Sequence, residues 1–219
     1  MRDKLLGRPT KDVDVVCDGD GIALAHATVA SLPHNPQVNF FKNFGTAHIR
    51  VDGMDVEFVG ARKESYSPES RNPLVEPGNL QDDQLRRDFT INALYADASG
   101  FITDPVGGID DINARHVRFI GDPVRRIRED YLRSLRFFRF TARYAKGEAD
   151  ESALIAIDQE RDGIAKLSRE HTEVAAVASR WKRLAIIGSP AKSALTTFSA
   201  TFRPMLSCVA SYTAAMPPT

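Results

Sequence analysis

Apolar and polar positions alternate with a period of two over residues 12–17, DVDVVC. That pattern predicts a strand with Asp12 and Asp14 on one face and Val13 and Val15 on the other. Residues 21–32, GIALAHATVASL, carry small and apolar side chains at helical spacing, and Pro33, Asn35 and Pro36 close the predicted helix. Residues 45–59, GTAHIRVDGMDVEFV, read as a β-hairpin turning at Asp52-Gly53. On its second strand Met54, Val56 and Phe58 share one face, and Asp55 and Glu57 share the other. Residues 63–82 are rich in Pro, Ser, Asn and Gly and predict a long loop. A helix is expected over 83–96, DQLRRDFTINALYA, followed by turns around a short strand in DASGFITDPVGGIDDI and a further short strand or turn in VRFIGDP. Helical spacing returns over 124–146 and again over 150–168.

Composition narrows this picture. The chain has 219 residues, 42% of them hydrophobic, which suits one ordinary domain or a compact domain with a smaller appendage. The 29 basic and 29 acidic residues cancel, so affinity for nucleic acid would have to come from a local patch rather than a global field. Cys17 and Cys208 form no disulfide-like or metal-like spacing, and the five histidines show no ligand spacing. No apolar run approaches the roughly 20 residues that span a bilayer. The opening MRDKLLGRPTKD lacks the long apolar core of a secretory signal, so a cytoplasmic protein is expected. Residues 174–219 contain no Asp or Glu and are rich in Ala, Ser and Thr. Such a shift marks a boundary, a poorly ordered extension or a stretch translated in a shifted frame.

Two carboxylates two residues apart on a strand point the same way, with Cβ atoms about 6–7 Å apart. Asp12 and Asp14 can therefore straddle one or two Mg²⁺ ions, which take oxygen ligands and keep waters and substrate phosphates. Such a centre activates an attacking hydroxyl and stabilises a leaving pyrophosphate. The alternative is an edge strand with a solvated polar face. Glu57, mid-strand on the hairpin's polar face, is a candidate third carboxylate, with a solvent-facing strand residue as its alternative. Asp55, beside the turn, reads as exposed.

Over 124–146, Asp130, Arg133, Arg136 and Arg139 recur every three residues. Each step drifts about 60° around a helix, and nine residues climb about 13 Å, which makes a slanted polar stripe. Ile127, Leu132, Leu135 and Phe138 supply the core-facing side. Most of the stripe shares one sign, which argues against simple i,i+4 pairing and for a nucleotide-binding wall. Cytosine and adenine each present an exocyclic amine beside an unprotonated ring nitrogen. An Asp accepts from the amine and an Arg donates to the nitrogen, so Asp130 with Arg133 would accept C and A and refuse G and U. The neighbouring arginines suit phosphates. In RRDFTINAL, Asp88 at the expected helix start is placed to cap it or to bind a ribose hydroxyl, with Asn92 four residues on along the same face. A plain cap and a surface amide are the alternative.

Taken in order, RDKLLGRPTKDVDVV, FGTAHIRV with VEFVGARKESYS, DDQLRRDFTINAL, DPVGGIDDI and IREDYLRSLRFFRF resemble the class II tRNA nucleotidyltransferase and poly(A) polymerase family, the CCA-adding enzymes. The resemblance covers roughly residues 2–145. It implies an α/β (α+β) fold: a polymerase-β-type nucleotidyltransferase head with a mixed sheet over residues 1–120, then a helical neck over 121–170. It further implies that Asp12 and Asp14 bind Mg²⁺ and that Arg2 matches the arginine of the family's Gly-Gly-x-Val-Arg-Asp loop. By the same resemblance Arg87 and Asp88 belong to the ribose and phosphate motif. Glu129, Asp130 and Arg133 form the base-reading motif, and Arg136 and Arg139 are the arginines that follow it.

The chain opens at Met1-Arg2-Asp3, past the family's Gly-Gly turn and the strand before it, which leaves an exposed edge expected along 12–17. Residues 171–219 do not resemble the family's helical body, and no His-Asp phosphohydrolase appendage is visible, so a member shortened at both ends is expected. The activity implied is Mg²⁺-dependent, template-independent addition of CMP and AMP from CTP and ATP to the tRNA 3′ end. The alternatives are a poly(A) polymerase, an enzyme adding only A or only C, and a catalytically silent RNA-binding fragment. Oligomeric state is not readable from the sequence.

Overall fold

The computed structural model describes residues 1–165 apart from 11, 33, 42–44 and 68–69. The tail expected over 171–219 and the end of the helix expected over 150–168 lie outside the described residues. The chain folds as two compact units. The first comprises Met1–Tyr66, Asn72–Arg87 and Asn92–Val106, and the second comprises Ser67–Arg71, Asp88–Ile91 and the residues from Gly107 onward.

The first unit opens with a short helix α1 (Arg2–Leu5), strand β1 (Asp12–Cys17) and helix α2 (Gly21–Ala30). Strands β2 (Asn39–Phe41), β3 (Thr46–Val51) and β4 (Met54–Gly60) follow. These four strands form one mixed sheet in the order β1-β4-β3-β2, with β1 at an edge. β1 runs parallel to β4, while β3 is antiparallel to both of its neighbours. The expected hairpin turn is present: Asp52 and Gly53 take φ of 50° and 80°, the two positive values that a tight turn matched to strand twist requires.

One sheet face is apolar. Ala47, Ile49 and Phe58 are buried there with Ala25 and Val29 of α2, and Val15 and Val56 pack around them. Burying a side chain the size of Ile49 or Phe58 contributes about 1.5–3 kcal/mol, which anchors α2 to this face. Asp20 starts α2 by accepting from the amides of Ile22 (2.8 Å) and Ala23 (3.2 Å). The β1–α2 turn presses on the end of β4: a Cβ at Gly60 would stand 2.4 Å from the Gly19 carbonyl oxygen. Period-two alternation leaves the opposite face to Asp12, Asp14, His48, Arg50, Asp55 and Glu57.

The loop expected over 63–82 is replaced by two strands and a helix. β5 (Arg62–Ser67) pairs with β6 (Ser70–Pro77), and α3 (Leu80–Leu85) follows. The turn-forming residues here serve ends rather than a long loop. Asn79 accepts from the Asp82 amide (2.9 Å), and Asp82 reaches back to the Asn79 amide (3.1 Å), which closes a capping box. The helix expected over 83–96 is also corrected. It starts earlier and stops at Leu85, and the chain continues as a single 3-10 turn (Thr90–Asn92) and the short strands β7 (Tyr95–Ala96) and β8 (Ile102–Thr103). Phe89 instead enters an isolated bridge with Phe119, so packing overrides the helical spacing.

The second unit contains α4 (Gly108–Ala114), α5 (Pro123–Glu129), α6 (Leu132–Tyr144), α7 (Glu151–Gln159) and α8 (Arg161–Ala165). Its core is aromatic. Phe89, Phe119 and Phe137 are buried, with ring centroids 5.0 Å apart for the first pair and 5.7 Å for Phe119 and Phe137. Ile127 of α5 is fully buried, and α5 packs on α7 through its buried Ala153, Leu154, Ala156 and Ile157. Asp122 caps α5 on the Arg125 amide (2.7 Å), with Pro123 in the first turn, where its missing N–H costs nothing.

The single helix expected over 124–146 is two helices. Asp130 is extended (φ −155°, ψ 111°), and its Oδ1 accepts the Leu132 amide at 3.0 Å, restarting the helix. An aspartate competes with the backbone in this way wherever a local turn offers it an amide. The stripe from Asp130 to Arg139 is therefore not one continuous helical ladder. Arg133, Arg136 and Arg139 share α6, while Asp130 stands at the break.

Candidate functional site

The parallel register of β1 against β4 sets Asp14 opposite Glu57 and Asp12 opposite Asp55. Paired strands lie about 4.8 Å apart, so Asp12, Asp14 and Glu57 occupy one acidic corner of the polar face. All three are exposed, and among the described residues none of them has a hydrogen-bond or ion-pair partner. Asp55, read from the sequence as simply exposed, is half-buried, and its Oδ1 lies 3.4 Å from His48 Nε2. Parallel pairing of β1 with β4 is what brings it to Asp12. Among the described residues, no three His, Cys, Asp or Glu side chains converge tightly enough to make a ready-built metal cage. The donor set nevertheless fits Mg²⁺. It is all oxygen and solvent-facing, and this ion binds through one or two carboxylates while keeping waters and phosphate oxygens.

Arg2, from α1, turns its guanidinium onto neighbours in the same unit. Nη2 donates to Asp3 Oδ2 at 2.7 Å, and Nη1 donates to the side-chain oxygen of Asn92. Asn92 is therefore engaged by Arg2. With the 83–96 helix gone, its expected place four residues along a shared face from Asp88 is gone too.

Arg87 stands just past α3. Its Nη2 and Nε donate to Asp83 Oδ2 at 2.9 and 3.3 Å, and its Nη2 also donates to the Tyr95 hydroxyl at 2.9 Å. Burial pushes Asp83 up, yet the Tyr95 hydroxyl and the charges of Arg87 and Arg86 outweigh it and hold its carboxyl below the usual range. Burial, the hydrogen bond to Asp83 and the Asp83 charge push the Tyr95 phenol up to about 12 against the pull of Arg87. Asp83 was missed by the sequence reading, although its spacing to Arg86 and Arg87 (i,i+3 and i,i+4) on a helix was the signal that could have found it.

In the second unit Asp88 does not cap a helix start. Its Oδ1 accepts the Phe89 amide at 2.9 Å, and its Oδ2 accepts Arg136 Nε at 2.6 Å, which joins two of the candidate residues. The Arg136 guanidinium also lies over the Phe140 ring, 5.4 Å from its centroid, and Arg139 approaches the same ring at 5.7 Å.

Asp130 and Arg133, expected to read the base together, meet through the backbone, where the Arg133 amide donates to the Asp130 carbonyl at 3.0 Å. Arg133 is buried, and its Nη1 donates to Glu129 Oε2 at 2.5 Å and to the Arg126 carbonyl at 3.2 Å. Arg126 Nη1 meets the same Glu129 oxygen at 2.6 Å. Asp130 spends one oxygen on the Leu132 amide and stays half-buried beside this cluster. Two guanidiniums sharing one carboxylate are held rigidly, because leaving either charge buried and unpaired would cost several kcal/mol.

Comparison with known proteins agrees with this architecture. Residues 1–118 match the family model described as the poly(A) polymerase head domain. The chain is 40% identical over 147 residues to the A-adding tRNA nucleotidyltransferase of Aquifex aeolicus, covering 63% of this chain and 17% of that protein. It is 36% identical over 176 residues to the CCA-adding enzyme of Bacillus pumilus, covering 80% of this chain and 42% of that one. A crystal structure of a tRNA nucleotidyltransferase with a primer tRNA and an incoming ATP analogue superposes with a TM-score of 0.65 at 28% identity. That match covers 93% of this chain and 55% of the other. The chain thus spans well under two thirds of the length of these relatives.

Proposed function

The chain belongs to the poly(A) polymerase and tRNA nucleotidyltransferase family, and from that premise we propose that it transfers CMP and AMP from CTP and ATP to the 3′ end of tRNA. The observation that carries this reading is the β1–β4 register, which gathers Asp12, Asp14 and Glu57 on one solvent-facing corner. Asp12 and Asp14, with Glu57, would hold Mg²⁺. Bound there, the ion supplies activation of the terminal ribose hydroxyl and neutralises charge on the departing pyrophosphate. Arg2 and Arg87 meet phosphates, with Asn92 holding Arg2, and Asp88 serves the ribose while also orienting Arg136. Arg136 and Arg139 neutralise the triphosphate. Asp130 accepts from the exocyclic amine of C or A through the oxygen not spent on Leu132, and Arg133 donates to the ring nitrogen. Glu129 accepts from Arg133 Nη1 and so limits its movement.

The test is incubation with tRNA ending before CCA and each labelled nucleoside triphosphate in turn, with and without Mg²⁺. Metal-dependent incorporation of C followed by A, with G and U refused, supports the reading; retention of RNA without incorporation refutes it. The 40% identity to an A-adding enzyme favours one rival, addition of A alone. A tRNA already ending in CC separates the two. The rival extends only that substrate, whereas the full activity also extends the shorter one.

A further inference from the structure

Asp83 takes no part in the transfer as described above, yet it is the most completely buried carboxylate among the described residues, 1% exposed. Each of its oxygens serves a different arginine. Oδ1 accepts from Arg86 Nε (2.8 Å) and Nη2 (2.5 Å), and Arg86 in turn donates from Nη1 to Glu64 Oε1 of β5 (2.9 Å). Oδ2 accepts from Arg87 and from the Tyr95 hydroxyl of β7. The Arg87 guanidinium is gripped along its Nε–Nη2 edge and lies over the Tyr95 ring, 5.7 Å from the centroid, while the side chain keeps 29% of its exposure. Two N–H groups on one carboxylate oxygen leave the guanidinium free to turn about the line to that oxygen, and the second bond of Nη2, to the Tyr95 hydroxyl, restricts that turn.

We infer that Asp83 and Tyr95 are positioning residues, which set the plane of Arg87 for the phosphates of the incoming nucleotide. The inference rests on the assignment of Arg87 to nucleotide binding made above. Arg86 divides the labour. It ties the same carboxylate to β5, so Asp83 cannot swing with Arg87 when a ligand pulls on it. The Tyr95 hydroxyl is the cleaner probe, because removing it leaves the ion pairs of Asp83 with both arginines in place. Its proton stays on at neutral pH, so it donates to Asp83 and accepts from Arg87 throughout the working range.

The experiment measures the Kd of the full chain for ATP and for CTP by titration calorimetry with Mg²⁺ present. The variants are Tyr95→Phe, Asp83→Asn, Arg87→Ala and the double variant Tyr95→Phe/Arg87→Ala, with melting curves for each. Tyr95→Phe is expected to raise both Kd values about tenfold, the loss expected of one hydrogen bond to a charged group. Its melting temperature should stay near that of wild type. Asp83→Asn should weaken binding further. In the Arg87→Ala background, Tyr95→Phe should change Kd by less than about twofold, because residues acting through one another do not add. A purely structural role predicts the opposite: an equal loss with and without Arg87, and that result overturns the inference. So does an unchanged Kd for Tyr95→Phe when Arg87→Ala binds weakly. If Arg87→Ala itself binds ATP and CTP as wild type does, the assignment of Arg87 to the nucleotide falls, and this inference falls with it. Should Asp83→Asn fail to fold, the Tyr95 pair alone decides.

Discussion

The acidic corner of the first unit and the arginine cluster of the second are built on opposite plans. Asp12, Asp14 and Glu57 stand in water, with no hydrogen bond or close ion pair among the described residues. Arg126 and Arg133 are buried and closed onto Glu129, and Arg136 is closed onto Asp88. The difference follows from solvation. Exposed carboxylates lose little hydration, and their mutual repulsion in water is only about 1 kcal/mol at 4 Å, so they can wait for a cation without cost to the fold. A guanidinium taken into the interior loses hydration worth several kcal/mol and has to be paired within the protein. One region leaves its charge in water, whereas the other fixes charge in place by pairing within the protein.

The sharpest way to break this contrast is to remove one member of each kind. Asp14→Ala is expected to lower metal-dependent incorporation about a thousandfold or more, equivalent to roughly 4 kcal/mol of barrier. The same change should alter stability by less than about 0.5 kcal/mol, since that exposed carboxylate makes no hydrogen bond or close ion pair among the described residues. A denaturant melt beside a single-turnover assay checks both halves. If the stability loss were large, the acidic corner would be structural and the contrast lost.

Glu129→Ala should do the reverse in stability. It removes the carboxylate that two buried guanidiniums share and is expected to cost about 3 kcal/mol in a urea titration. Glu129→Gln, which keeps a hydrogen-bond acceptor, should recover part of that loss while relaxing the preference for C and A over G and U. A variant as stable as wild type would show that Arg126 and Arg133 do not need the pairing.

A smaller effect tests the scaffold under the acidic corner. Gly60→Ala places a methyl group against the Gly19 carbonyl oxygen, 2.4 Å away before relaxation, with backbone on both sides. A loss of about 1–3 kcal/mol is expected, with a fall in incorporation as β1 shifts against β4. Unchanged stability would mean that the β1–α2 turn gives way freely.

The smallest expected effect is in alkali. Tyr95 holds its proton to about 12 in the folded chain, against an ordinary phenol near 10. A raised value means that the folded chain binds more protons than the unfolded chain between those limits. The stabilisation is full below about pH 10 and is lost as pH rises toward 12. Melting temperatures taken from pH 9 to 12 should therefore fall more steeply for wild type than for Tyr95→Phe. Asp83 shows the mirror image in acid. Its lowered value contributes stability above the ordinary carboxylate range, and that stability is lost as pH falls through the folded value.

Much of the acidic corner was legible in the chain. Alternation over 12–17 and over the Asp52-Gly53 hairpin put the right side chains on the right faces, because a strand's period of two is local geometry. The helical region was legible only in part. Spacing every three residues across Asp130 and Arg133 looks identical whether or not the helix breaks between them, and the break depends on one aspartate choosing the Leu132 amide. The segments 63–82 and 83–96 misled for a related reason. Gly78 and Asn79 there bound a helix rather than a loop, and Phe89 is drawn from its helical pattern by aromatic neighbours far along the chain.

The amino-acid sequence by itself determined the residue types, the faces of β1 and β4 and the family to which the chain belongs, since these depend on local periodicity and on ordered motifs. Only the tertiary structure decided who meets whom: Asp14 opposite Glu57, the Arg133 guanidinium on Glu129, and Arg87 on Asp83 and Tyr95. Parallel strand register and the pairing of buried charges are set by segments that meet through packing, and neither leaves a mark in the spacing of any single stretch.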